Sequence, residues 1–180
     1  MLKTIRRFRR QDGGMAAVEF ALIAPVMIGL FFGTVEVCNA LSCHQKVTTV
    51  ASSAADLVAQ ATRVSDTDMA DIFTAANSIM VPFPQAATSI VLTSIGGDGT
   101  VLWSDASNGN GAHAVGDTLP VPDGLFPPGC NTATGCSVIL AEVHYNFVPP
   151  LAGSAIGDIP MTDTFYAKPR RAVTITRITG

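Results

Sequence analysis

The chain has 180 residues, 48% of them hydrophobic and 14% charged, with a formal net charge of −3, a composition that fits one domain plus an apolar segment. Lys3, Arg6, Arg7, Arg9 and Arg10 leave residues 1–14 at +4 after Asp12, while the remainder carries six basic and thirteen acidic residues, or −7. An acidic main body argues against nucleic acid as a partner.

Much of the apolar content lies in FALIAPVMIGLFFGTV, residues 20–35, a run without charge between Glu19 and Glu36. As a helix, Glu19 to Glu36 rises about 26 Å, slightly less than a hydrocarbon core of about 30 Å. Extension through Val37, Cys38 and Ala40 to Leu41 makes a crossing feasible and predicts a transmembrane helix over 15–41. The basic leader and the acidic remainder predict, by the positive-inside rule, a cytoplasmic N-terminus and an exported C-terminal part. A conventional secretory signal needs a small-x-small cleavage site behind the apolar run. Here Glu36, Val37, Cys38 and Asn39 follow instead, leaving an uncleaved anchor or a leader cut ahead of the apolar run.

From Met15 to about Arg63 the only helix breakers are Pro25, Gly29 and Gly33, and Val47, Val50, Ala51, Ala54, Leu57, Val58 and Ala61 recur at helical spacing. One helix is predicted, about 73 Å long, half in lipid and half beyond it over 42–64. Its outer half is rich in Ala, Ser and Thr, which let other helices or a sheet approach closely. Pro25 lacks an N–H and crowds the carbonyl of Ala21, predicting a kink inside the membrane.

Residues 65–180 read as an α+β head. Ser65 caps a second helix, with Asp66, Asp68 and Asp71 near its positive end, and Pro82 and Pro84 end it. The three aspartates also admit a cation site, but the glycine and distal glutamate of a calcium loop are missing. TSIVLTSI at 88–95 and TVLWS at 100–104 flank GGDG and predict a hairpin, with Trp103 in the core or at its edge. Residues 105–136, rich in Gly and Pro, predict a long surface loop. Strands follow at 136–148 and within TDTFYAKPRRAVTITRI, giving a mainly antiparallel sheet of about four strands.

Cys130 and Cys136 lie in one short loop whose spacing, in an oxidising compartment, allows a disulfide or two free thiols. Cys38 and Cys43, five apart on one helix, face different sides and read as packing residues near the membrane. His44, His113 and His144 are scattered, and H-E-x-x-H, G-x-S-x-G, Walker A and CxxC motifs are absent from the sequence. No metal, cofactor or catalytic residue is expected. Glu142 and His144 share a strand face, and a solvent-facing polar row is the commoner meaning of that pattern. Lys168, Arg170 and Arg171 form a basic cluster, read either as a contact for an acidic partner or as ordinary surface charge.

The segment GGMAAVEF at 13–20 is the most informative. A glycine, Gly14, follows a basic leader, and Glu19 and Phe20 lie five and six residues further on. With RRFRRQDGGMAAVEFALIAPVMIGLFFGTVEV ahead, and TVLWS, AEVHYNFVPPL and FYAKPRR behind, the chain resembles the TadE/TadF-like pseudopilins of the tight-adherence (Flp) branch of type IV pilus systems. That resemblance implies a 1–14 leader cut between Gly14 and Met15 by a prepilin peptidase, and an inner-membrane protein with a periplasmic or extracellular head. It also implies a minor subunit whose partners are other pilins and pseudopilins, the assembly platform and the lipid bilayer. Glu19, with Phe20 beside it, then serves as an assembly contact, its carboxylate meeting the N-terminal amine of a neighbour. The bland alternatives are a flexible joint at Gly14 and a carboxylate snorkelling to the headgroups at Glu19. The contrasting functional reading is an uncleaved, envelope-anchored binding protein without a filament role.

Overall fold

The computed structural model describes residues 13–109, 111–122, 124–126, 130, 135–151, 153 and 157–178. Of the expected leader, only Gly13 and Gly14 fall among them.

Helix α1, Gly13–Ala59, is the organising element. Its face carrying Cys43, Val47, Val50, Ala51, Ala54, Ala55, Val58 and Ala59 is buried almost completely, and these positions recur three or four apart, as one side of a helix must. The small side chains expected to admit a close neighbour do so, and the neighbour is the sheet.

The sequence predicts α1 to Arg63, but it ends at Ala59, and the cause is tertiary. The Ala59 carbonyl accepts the N–H of Arg170 at 2.9 Å, so an orphan acceptor of the last turn is satisfied by the C-terminal tail. The next residues leave the helical path as β1, Arg63–Val64, which pairs in parallel with β6, Thr176–Arg177.

Helix α2, Asp66–Ser78, starts with a capping box: the Asp68 N–H donates to Ser65 Oγ at 3.2 Å, and the Ser65 N–H donates to Asp68 Oδ2 at 2.9 Å. The Ser65 N–H first, and then the Ser65 hydroxyl, which donates to Asp68 Oδ2 at 2.7 Å, hold the Asp68 carboxyl below its ordinary range. The helix is already over at Ser78, ahead of Pro82 and Pro84, and a short 3-10 turn, Gln85–Ala87, leads into the sheet.

The head sheet has four antiparallel strands, β2 (Thr88–Gly96), β3 (Val101–Ala106), β4 (Ser137–Phe147) and β5 (Ile159–Ala167), in the order β3-β2-β4-β5. The α+β class and the strand number match the sequence reading. On β4 the residues Ile139, Ala141, Val143, Tyr145 and Phe147 alternate onto the core face, where they pack with the buried face of α1. Because Gly96 pairs with Ser137 and Phe147 with Ile159, one end of the sheet lies near the C-terminal end of α1 and the other near Glu36.

The second face is apolar at the far end too: Ile95, Val101, Val138 and Leu140 are buried there. The described part of the 105–136 stretch beyond β3 is a largely exposed loop, as expected, and it is fastened back along this face. Val101 exchanges backbone bonds with Gly116 and Asp117, Leu119 donates to the Gly99 carbonyl, and Tyr166 Oη donates to the Pro120 carbonyl at 3.3 Å. Trp103 belongs to the core, and its Nε1–H donates to the Ile175 carbonyl at 2.7 Å, satisfying the indole where it is buried.

Candidate functional site

The two halves of α1 have opposite surroundings. From Met15 to Phe32 every large apolar side chain is exposed, Met15 at 78% and Phe20 at 71%, whereas the outer half is packed on the sheet. Helix α1 is long and apolar enough to cross a membrane, and at roughly 25 cal/mol per Å² of apolar surface the exposure of this run to water is strongly unfavourable. A single-pass anchor is what the helix fits.

Gly14 and Met15, the expected cut site, lie in the first turn of α1, which begins at Gly13 rather than at Met15. Entry into a protease cleft therefore requires that turn to unwind. Glycine destabilises a helix, so such unwinding is cheap. Glu19 and Phe20 follow one turn on, both exposed. The helix continues through Pro25, whose missing N–H leaves the Ala21 carbonyl without its usual donor.

A feature missed in the sequence reading lies further along. Gly29 and Gly33, four apart on one face, have nothing within 4 Å of where a side chain would begin. The G-x-x-x-G spacing was the available signal, since it lets two membrane helices approach to backbone contact.

The helix is fastened to the head from Glu36 onward. Glu36 is 8% exposed and its Oε1 accepts the Leu151 N–H at 2.6 Å. Lys46 Nζ donates to the Ile79 carbonyl at 2.9 Å, Thr48 bonds Asp163 on β5, and Asp56 pairs with Arg170. The outer half of α1 is thus part of the head, and the inner half is a free rod.

Cys43, on the packed face, is buried, and that burial pushes its thiol up to about 11 against the opposing charge of Lys46. Cys38 is exposed and the two are not joined. Cys130 and Cys136 form a disulfide with Cα atoms 5.8 Å apart.

Glu142 and His144 do occupy one face of β4, but they do not meet each other. Glu142 Oε2 is 2.6 Å from His113 Nε2, in the stretch that covers the sheet, while His144 Nδ1 bonds Thr162 Oγ1 at 3.1 Å. Tyr166 is raised above its ordinary value by burial and then by Glu142. Asp66 and Asp68 are engaged by Arg177 and Ser65 respectively, and among the described residues no group of three or more His, Cys, Asp or Glu is placed to hold a metal ion. Of the basic cluster, Lys168 and Arg170 border an open groove of about 600 Å³ beside Ser52 and Asp56, and Arg171 is exposed.

The family model described as TadE-like protein matches residues 14–56. No curated protein and no solved structure gives a significant match. The matched range begins in the first turn of α1 and ends one turn before Ala59, so the long helix, bare half and docked half together, is the TadE-like part of this chain.

Proposed function

We propose that the chain is a minor pseudopilin of a tight-adherence (Flp) pilus system, acting in pilus biogenesis or initiation through its N-terminal helix. The observation that carries this reading is the TadE-like match over a helix whose first half is apolar and bare. In this scheme a prepilin peptidase removes residues 1–14 at the cytoplasmic face of the inner membrane. The rod stays in the bilayer with a cationic α-amine at Met15. Glu19 then lies on the apolar margin, where an unpaired carboxylate is costly, and pairing with a neighbour's amine neutralises both groups and sets the register of assembly.

The face bearing Gly29 and Gly33 supplies the close approach that bundled helices need. The head carries specificity toward other pilins, pseudopilins or the assembly platform, and its size, residues 65–180, suits a minor rather than a major subunit. The role is structural and not enzymatic.

Intact-mass analysis of the protein from native membranes tests the proposal. A chain beginning at Met15 with the rod present is the expected result. A mature chain retaining residues 1–14, or lacking the rod, overturns it and favours an uncleaved or a secreted binding protein.

A further inference from the structure

The end of the head beside the bare rod is apolar. A helix needs about 20 residues to cross a core of about 30 Å. Counted from Glu19, the first charge inside α1, the crossing ends near Asn39, so Glu36 falls just inside the hydrocarbon edge. A bare carboxylate there is unfavourable, yet Glu36 is not bare. The chain leaving β4 folds down over it, and Leu151 supplies a backbone N–H at 2.6 Å.

That bond fixes the depth of the covering segment. Val148 and Leu151 are each 58% exposed, and Pro150 between them is exposed as well. The sequence from Phe147 to Gly157 carries no charge. Helix α2 returns the chain to the same end, so Pro82 and Pro84 join Val148 and Pro150 around an apolar hollow of about 430 Å³ that also touches Asn39. An apolar surface of this kind is a liability in water. Here it adjoins Glu36, so on the membrane-anchor reading of α1 it comes level with the edge of the lipid. Asp158, exposed just ahead of β5, limits how far the end can sink.

We propose that Val148–Leu151 is a wedge seated in the interfacial layer of the bilayer, with Val148, Pro150 and Leu151 among the upper acyl chains. It shields Glu36 from lipid and holds the head at one height and tilt on the membrane. The inference rests on the membrane-anchor reading of α1 and is independent of leader removal and pilus assembly.

Fluorescence quenching in the full chain, reconstituted in phosphatidylcholine vesicles, tests it. The one native tryptophan, Trp103, is buried in the head. Leu151→Trp and Val148→Trp are each compared with Leu102→Trp, an exposed position at the opposite end of the sheet, about 30 Å away along the strands. Blue-shifted emission and a marked loss of intensity in vesicles of lipid brominated near the top of the acyl chains is expected for the first two and not for the third. Quenching of Leu151→Trp and Val148→Trp no greater than that of Leu102→Trp overturns the wedge. If Leu151→Trp fails to fold, Val148→Trp alone decides. Retention of residues 1–14 in the mature chain defeats the pilus reading and leaves this result untouched.

Discussion

Arg177 on β6 donates from Nε to Asp105 on β3 at 2.7 Å, and through this contact the two-residue parallel pair at the end of the chain is tied to the edge of the main sheet. The second nitrogen, Nη2, reaches both Asp105, at 3.2 Å, and Asp66 in the first turn of α2. Bonding to Asp105 chiefly, and to Asp66 after it, raises the guanidinium above its already high ordinary value despite partial burial. A raised folded value means the contribution is complete at lower pH and lost only at the alkaline extreme.

Arg177→Ala is therefore expected to destabilise the head by about 2 kcal/mol, mostly through Asp105, because Asp66 is largely solvated and an exposed pair adds little. Arg177→Lys keeps the charge but not the fork, and falls between the two. Chemical denaturation of the detergent-solubilised chain measures both. A loss for Arg177→Ala no larger than that of an ordinary surface substitution removes the tie from the account.

A second prediction concerns Cys43. With its thiol pushed to about 11 by burial, almost none of it is thiolate at pH 8, and thiolate is the reactive form. In a Cys38→Ala background, with Cys130 and Cys136 bridged, maleimide should label the native chain far more slowly than the unfolded chain at pH 8. The sign for stability follows from the same shift. The unfolded thiol releases its proton first, so the contribution is intact below the thiol's ordinary value and is lost as pH rises from there through about 11. Rapid labelling of the native protein at pH 8 contradicts the burial.

How legible these features were in the sequence depends on whether their causes were local. The long helix and the strand of Val143, Tyr145 and Phe147 showed through periodicity, because burying one face imposes it directly. The end of α1 did not show: Gln60 to Val64 contains neither Gly nor Pro, and the stop is imposed by Arg170 and β6, more than a hundred residues away. The pairing of His113 with Glu142 was hidden for the same reason. The covering role of the 105–136 stretch was recoverable, since Val91, Thr93 and Ile95 are buried on one face of β2 and Ile90, Leu92 and Ser94 on the other. A strand apolar on both faces needs a second cover. At the proposed assembly site the resemblance of GGMAAVEF to a prepilin leader marked Gly14 and Glu19, but that the rod is bare for its whole inner half could be seen only once the head had been placed.

The third prediction uses that bareness. A Cβ at Gly29 or Gly33 meets nothing within 4 Å, and both positions lie on the bare half of the helix, so the thermal stability of the head should stay within about 0.5 kcal/mol of wild type. If the face bearing these glycines is where helices bundle, a bulky side chain there holds the backbones apart. Energy transfer between donor- and acceptor-labelled chains in vesicles should then fall for Gly29→Leu and Gly33→Leu, and remain at wild-type level for Phe31→Ala, an exposed position on the opposite face of the helix, as a control. Unchanged transfer in both glycine variants means the seam lies on another face.

The fourth prediction separates processing from assembly within a single turn and a half of helix. Gly14→Val adds a branched side chain where a Cβ meets nothing within 4 Å among the described residues, so the head should fold as before, but a β-branched residue no longer fits a narrow cleft as glycine does. The variant should accumulate as a slower-migrating precursor on a gel, and a band at the wild-type position means the cut lies elsewhere. Glu19→Ala removes a carboxylate and makes the span more apolar, which favours insertion. Membrane insertion and leader removal should survive in that variant while co-purification with pilus components is lost, because in the proposed scheme the N-terminal amine of the neighbouring subunit is left without its counter-charge. The two variants thus fail at different steps, one before the new N-terminus exists and one after. A Glu19→Ala chain that is cleaved and still co-purifies normally leaves the carboxylate with no role beyond reaching for the headgroups.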